Sequence, residues 1–196
     1  MNKFHWFVRK AIGPLIRIVM PTTVKGVENL PKAGAMLCPN HSSNWDPVLV
    51  FISLPGDYNL RSMAKHTLFQ IPVLGWIIGK LGGFPVDRGN MDIQAVKTAM
   101  QAVKDGGNLM IFPEGQRVSA EGEVDAKGGV AVIGIRTDAY FVPVYVEQEK
   151  RMLRRHRIIF GEAYKPTYTG RRGTAEEVQA IADDVLRRAY DLGREE

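Results

Sequence analysis

Ala35-Met36-Leu37-Cys38-Pro39-Asn40-His41-Ser42-Ser43-Asn44-Trp45-Asp46-Pro47, running on into Val48-Leu49-Val50-Phe51-Ile52-Ser53, reads as a strand, a polar turn and a helix in direct succession. Ala35 to Cys38 show no polar alternation, the pattern of a strand covered on both faces. Pro47 suits the first turn of a helix, where a missing N–H breaks no intrahelical bond. A buried strand feeding a helix at once is the unit of an α/β sheet.

The same alternation continues downstream. Ile93, Val96, Met100 and Val103 fall at helical spacing, and Gly106-Gly107 ends that helix. Leu109 to Phe112 is a short buried strand, Val130 to Ile135 a helix, and Phe141 to Val146 and Arg157 to Phe160 further strands. Thr174 and Glu177 make a capping box for a helix with Val178, Ile181, Val185, Leu186 and Ala189 on one face. With 196 residues, 45% of them hydrophobic, the chain supports one domain. The expected fold is a single α/β domain over residues 25–196, a mixed sheet flanked by helices, preceded by an N-terminal amphipathic segment over residues 1–24.

That segment has Lys3, Arg9, Lys10, Arg17 and Lys25 and no acid before Glu28. Phe4, Trp6, Phe7, Ile12, Leu15, Ile16, Ile18, Val19 and Met20 are interleaved with the bases, as in a helix lying in a membrane interface. The competing reading is a first helix docked on the protein's own core. Pro14 is expected to break or kink it and Pro21 to end it. No stretch reaches the roughly 18 uncharged apolar residues of a spanning helix. Thr67 to Gly79 comes nearest, but carries Gln70, Pro72 and Gly75. No signal-peptide cleavage pattern follows an apolar core, and the single cysteine, Cys38, fits a reducing compartment. A net charge of +5 favours an anionic partner. Nucleic acid, a phospholipid surface and a phosphorylated substrate all fit that charge, though no nucleic-acid-binding motif is present, and a cytoplasmic protein able to lie on a membrane is expected. Lys150, Arg151, Arg154, Arg155 and Arg157 read as a solvated basic turn.

His41 and Asp46 flank the turn after the first buried strand, where open α/β sheets place their sites. A carboxylate on one imidazole nitrogen fixes the tautomer and leaves the other nitrogen as a base. The alternative is structural: Asp46 as helix N-cap and His41 as a buried, satisfied histidine. Phe112-Pro113-Glu114-Gly115-Gln116-Arg117 follows another apolar strand, and Gly82-Gly83-Phe84-Pro85-Val86-Asp87-Arg88-Gly89-Asn90 forms a second glycine- and proline-rich loop. Each brings an arginine, whose planar fork suits phosphate, and Lys65 adds a point charge.

In that order the blocks His41–Asp46, Phe84-Pro85-Val86-Asp87-Arg88, Phe112-Pro113-Glu114-Gly115 and Val142-Pro143-Val144 resemble those of the glycerolipid acyltransferases, specifically the 1-acylglycerol-3-phosphate acyltransferases. The resemblance covers about residues 25 to 165. It departs where Gln116 and Val118 replace the threonine and serine often found there, and where only Lys127 remains of two lysines before Gly128-Gly129. It implies transfer of a fatty acyl group from acyl-CoA or acyl carrier protein to the sn-2 hydroxyl of lysophosphatidic acid. His41 would be the base and Asp46 its orienting partner. Lys65, Arg88 and Arg117 would hold phosphate, with Gly115 in the same block and Glu114 accepting hydrogen bonds from the glycerol. No metal or resident cofactor is called for. Backbone amides near Gly82-Gly83 are one source of oxyanion donors. Leu68, Phe69, Ile71, Val73, Leu74, Trp76 and Ile77 are expected in the core, with an acyl tunnel or a hydrophobic face as the alternatives. Two readings from other classes are a metal-dependent phosphoesterase built on His41, Asp46 and Glu114, and a non-catalytic lipid-surface module.

Overall fold

The computed structural model describes residues 3–87 and 92–195. Seven strands among them form one sheet: β1 (Thr22–Lys25), β2 (Ala35–Pro39), β3 (Leu60–Lys65), β4 (Gly83–Val86), β5 (Asn108–Met110), β6 (Tyr140–Val146) and β7 (His156–Phe160). Their order is β1-β7-β6-β2-β5-β3-β4. Every neighbouring pair is parallel except β6 and β7, so the sheet is mixed, as expected.

The helices are α1 (Lys3–Phe7), α2 (Gly13–Val19), α3 (Asp46–Ser53), α4 (Pro72–Lys80), α5 (Ile93–Lys104), α6 (Gly129–Thr137) and α7 (Ala175–Arg194). Strand alternation divides the core in two. Met36, Cys38, Leu109 and Phe141 point to the face covered by α5, α6 and α7. Ala35, Leu37, Met110, Val142 and Val144 point to the face covered by the N-terminal helices and α3. The α6–β6 contact is close: a Cβ on Gly134 would lie 2.1 Å from Phe141 Cζ. The capping box at Thr174 and Glu177 is formed.

Three strands escape the sequence reading. β1 and β4 are the sheet edges, short and weakly apolar, and β4 carries Pro85, which an edge tolerates because one side needs no ladder bond. β3 is interrupted by Arg61 and Lys65. β5 ends at Met110, so Phe112 belongs to the loop.

Pro14 does not break the first helix. The chain passes from α1 into α2 through a π-helical turn, Val8–Ile12, which absorbs the lost backbone bond. Arg9 is buried against α3: its Nε donates to Phe51 O (3.0 Å) and its Nη1 to Pro55 O and Tyr58 O (2.7 Å each). Arg17 donates to Ile52 O at 3.1 Å. Outward, Trp6, Phe7, Leu15 and Ile18 are exposed. The core assignment of the 68–77 segment is corrected: Ile71, Val73, Leu74 and Trp76 are exposed, because α4 buries only Gly75, which packs on the backbone of Phe69 in the turn before it. Phe4 meets Trp76 edge-to-face at 5.8 Å, joining the two apolar surfaces. No helix among the described residues is long and apolar enough to cross a membrane.

Candidate active site

Parallel pairing puts the ends of β2, β3, β4, β5 and β6 on one edge of the sheet. The loops there carry His41 after β2, Glu114 after β5 and Lys150 after β6. Asn40 fixes the first loop by continuing the β2–β6 ladder: its Nδ2 donates to Val146 O (2.9 Å) and its Oδ1 accepts from Val146 N (2.7 Å). His41 then stacks on Phe112 at 4.0 Å between centroids.

His41 Nδ1 lies 2.9 Å from Asp46 Oδ2. Asp46 is fully buried, and the same oxygen accepts from the amides of Ser42 and Ser43 at 2.7 Å each. Its carboxylate therefore folds back on the loop and does not cap α3, whose N-terminus has no side-chain cap. Lys150 forms an ion pair with Oδ1. Burial alone would push the Asp46 carboxyl up, but the His41 hydrogen bond and the Lys150 charge outweigh it and hold the group below its ordinary value. An ionised Asp46 can only accept, so Nδ1 carries the proton and Nε2 is left as the free base nitrogen.

Glu114 is 1% exposed, and both oxygens are occupied. Oε2 accepts from the His41 amide at 2.6 Å, and Oε1 from the Tyr190 hydroxyl at 2.6 Å. Burial pushes its carboxyl up to about 7, against the pull of those two donors. Glu114 thus pins the backbone of His41. Gly115 follows at φ +69°, and a side chain there would meet Lys127 Cγ at 3.0 Å.

Lys65 is exposed at the end of β3, on the same edge, and Arg117 is exposed just beyond Glu114. Arg88 lies outside the described residues. Gly82-Gly83 opens β4 at the opposite edge from His41, which removes it as an oxyanion site. Two residues at the centre were not singled out by their sequence surroundings. Lys150 sat in an apparent solvated turn, and Tyr190 on a helix face that looked purely structural. Among the described residues no group of three His, Cys, Asp or Glu side chains is placed to hold a metal ion.

The His41–Asp46 pair therefore sits buried at one end of a rigid α/β sheet. A family profile described as Acyltransferase matches residues 21–147. The chain belongs to that acyltransferase family. It is 32% identical over 139 residues to a 1-acyl-sn-glycerol-3-phosphate acyltransferase of Bacillus subtilis, covering 70% of this chain and 68% of that one. It is 32% identical over 151 residues to a chloroplastic 1-acyl-sn-glycerol-3-phosphate acyltransferase of Brassica napus, covering 73% of this chain and 42% of the relative. The chain thus spans about two fifths of the length of its chloroplast relatives. The crystal structure of the 1-acyl-sn-glycerophosphate acyltransferase of Thermotoga maritima superposes with a TM-score of 0.72 at 22% identity, over 97% of this chain and 78% of that one. That likeness is one of fold.

Proposed function

We propose that the chain transfers a fatty acyl group from acyl-CoA or acyl carrier protein to the sn-2 hydroxyl of lysophosphatidic acid, giving phosphatidic acid at a membrane surface. The observation that carries this is the buried His41 Nδ1–Asp46 contact on the edge that also presents Lys65 and Arg117. His41 Nε2 takes the proton as the acceptor oxygen attacks the thioester carbonyl. The tetrahedral intermediate then expels the thiolate, which recovers the proton from the imidazolium. A positioned base of this kind contributes about 10²–10⁴-fold, and alignment of the two substrates adds more. Asp46 orients His41 and stabilises its cation, and Lys150 keeps Asp46 ionised. Arg88, Arg117 and Lys65 hold the acceptor's phosphate.

The membrane part rests on the exposed apolar residues of α1, α2 and α4 among the bases of the N-terminus. Such a surface lies on anionic lipid, where the acceptor resides. The protein is then peripheral on the cytoplasmic leaflet. Purified chain assayed with lysophosphatidic acid, other lysolipids and both donor types should make phosphatidic acid, with EDTA leaving the rate unchanged. Release of inorganic phosphate that EDTA abolishes would favour the metal-dependent phosphoesterase reading. No product with any donor would leave a lipid-binding module.

A further inference from the structure

The loop joining β6 to β7 is fixed at both ends. At its base Ser42 Oγ donates to Gln148 O (2.9 Å), and Lys150 reaches Ser42 Oγ (3.0 Å) and Asp46. At its tip the Leu153 amide donates to Val19 O, the last residue of α2, at 2.7 Å, and the His156 amide donates to Pro21 O at 2.8 Å. Met152 and Leu153 are nevertheless 70% and 74% exposed. Leu153 also sits at φ +62°, a region that favours glycine or asparagine. A turn serving only to reverse the chain would carry one of those residues. This one carries an exposed leucine held in place against both water and backbone preference.

Around the tip Arg151, Arg154 and Arg155 are exposed, with Glu149 the one acid in the 149–155 segment. Arg151 pairs with Glu149, leaving Arg154 and Arg155 as outward positive charge. The Val19 contact also places the tip beside the helix that exposes Leu15 and Ile18. Apolar tip, arginine collar and adjoining apolar helix fit one occupant, an anionic bilayer: the side chains enter the acyl boundary while the guanidiniums meet headgroup phosphates.

We propose that the 149–155 loop is a second membrane-contact element, which dips Met152 and Leu153 into anionic lipid beside α2. This rests on the membrane-surface reading above. The loop then sets the height of the His41–Asp46 centre over the bilayer, since its base is bonded to that centre.

The test uses the full chain with Met152→Cys carrying an environment-sensitive fluorophore; Cys38 is buried in β2 and stays unlabelled. On vesicles of phosphatidylcholine mixed with phosphatidylglycerol the label should shift to the blue and become shielded from aqueous iodide. In unlabelled protein Met152→Ser with Leu153→Asn should lower vesicle partition about tenfold with an unchanged melting temperature, asparagine being at home at this φ. Each of Arg154→Gln and Arg155→Gln should lower partition on the mixed vesicles about fivefold and leave it unchanged on phosphatidylcholine alone. Chain that sediments with vesicles while the label stays aqueous would overturn this proposal and spare the parent reading. Failure of the unlabelled chain to bind vesicles would overturn both. A blue shift with an acidic carrier protein and none with vesicles would reassign the loop to protein docking.

Discussion

The helices on the two faces of the sheet have opposite polarity. On one face α7 buries Ile181, Ala182, Val185, Leu186 and Ala189 and turns Arg187, Arg188 and Arg194 outward, paired with Asp184 and Asp191. On the other, α1 and the π-helical turn bury His5 and Arg9, while α1 and α2 turn Trp6, Phe7, Leu15 and Ile18 outward. The first arrangement is that of a helix in water; the second fits a helix whose outer medium is lipid. Both reach the site from behind. α7 supplies Tyr190 to Glu114, and Arg9 and Arg17 satisfy carbonyls at the C-terminal end of α3, whose first residue is Asp46.

Breaking the centre shared by both should have the largest effect. Lys150→Met leaves a buried carboxylate oxygen of Asp46 without its cation and should cost about 3–5 kcal/mol in urea unfolding. Lys150→Arg should recover part of that. On the N-terminal side, Arg9→Met strips four α3 and post-α3 carbonyls of their donor, an expected loss of about 2–4 kcal/mol in the same measurement. On the water-facing side, Tyr190→Phe removes a single hydrogen bond to a carboxylate, about 1.5–3 kcal/mol. It should leave Glu114 holding its proton to still higher pH.

Glu114 and Asp46 act oppositely on stability. The Glu114 pKa is raised from 4.5 to about 7, so between those values the folded chain keeps a proton that the unfolded chain has lost. Its contribution is complete below about 4.5 and lost as pH rises through 7, and Glu114→Gln should flatten that part of the profile. Asp46, held below its ordinary value of 3.8, contributes above that pH and loses its share as pH falls. The smallest effect belongs to the outward face of α7, where Arg187→Ala breaks exposed pairs and should change stability by less than about 0.5 kcal/mol.

Much of this arrangement is legible in the sequence because it is local. The strand–turn–helix around His41 and Asp46 is encoded within one segment, and the five-residue spacing that suggests a base and its partner is the spacing that makes the 2.9 Å contact. What escapes is carried by register and by burial. Lys150 reaches Asp46 only because β6 lies beside β2, so a residue that looks like part of a solvated turn becomes the counter-charge of the centre. Glu114 is recognisable as a site residue, but whether its carboxylate faces a ligand or the His41 amide depends on where α7 packs. The α4 segment misleads for the reverse reason: its apolar residues imply a core, yet the helix buries only Gly75, against the backbone of Phe69.

The claim that matters most is that His41 is the base. Acyl transfer from acyl-CoA to lysophosphatidic acid, presented in anionic vesicles, should fall about 10²–10⁴-fold in kcat for His41→Ala, with vesicle binding and melting temperature close to wild type. A variant that turns over at the wild-type rate would contradict the account.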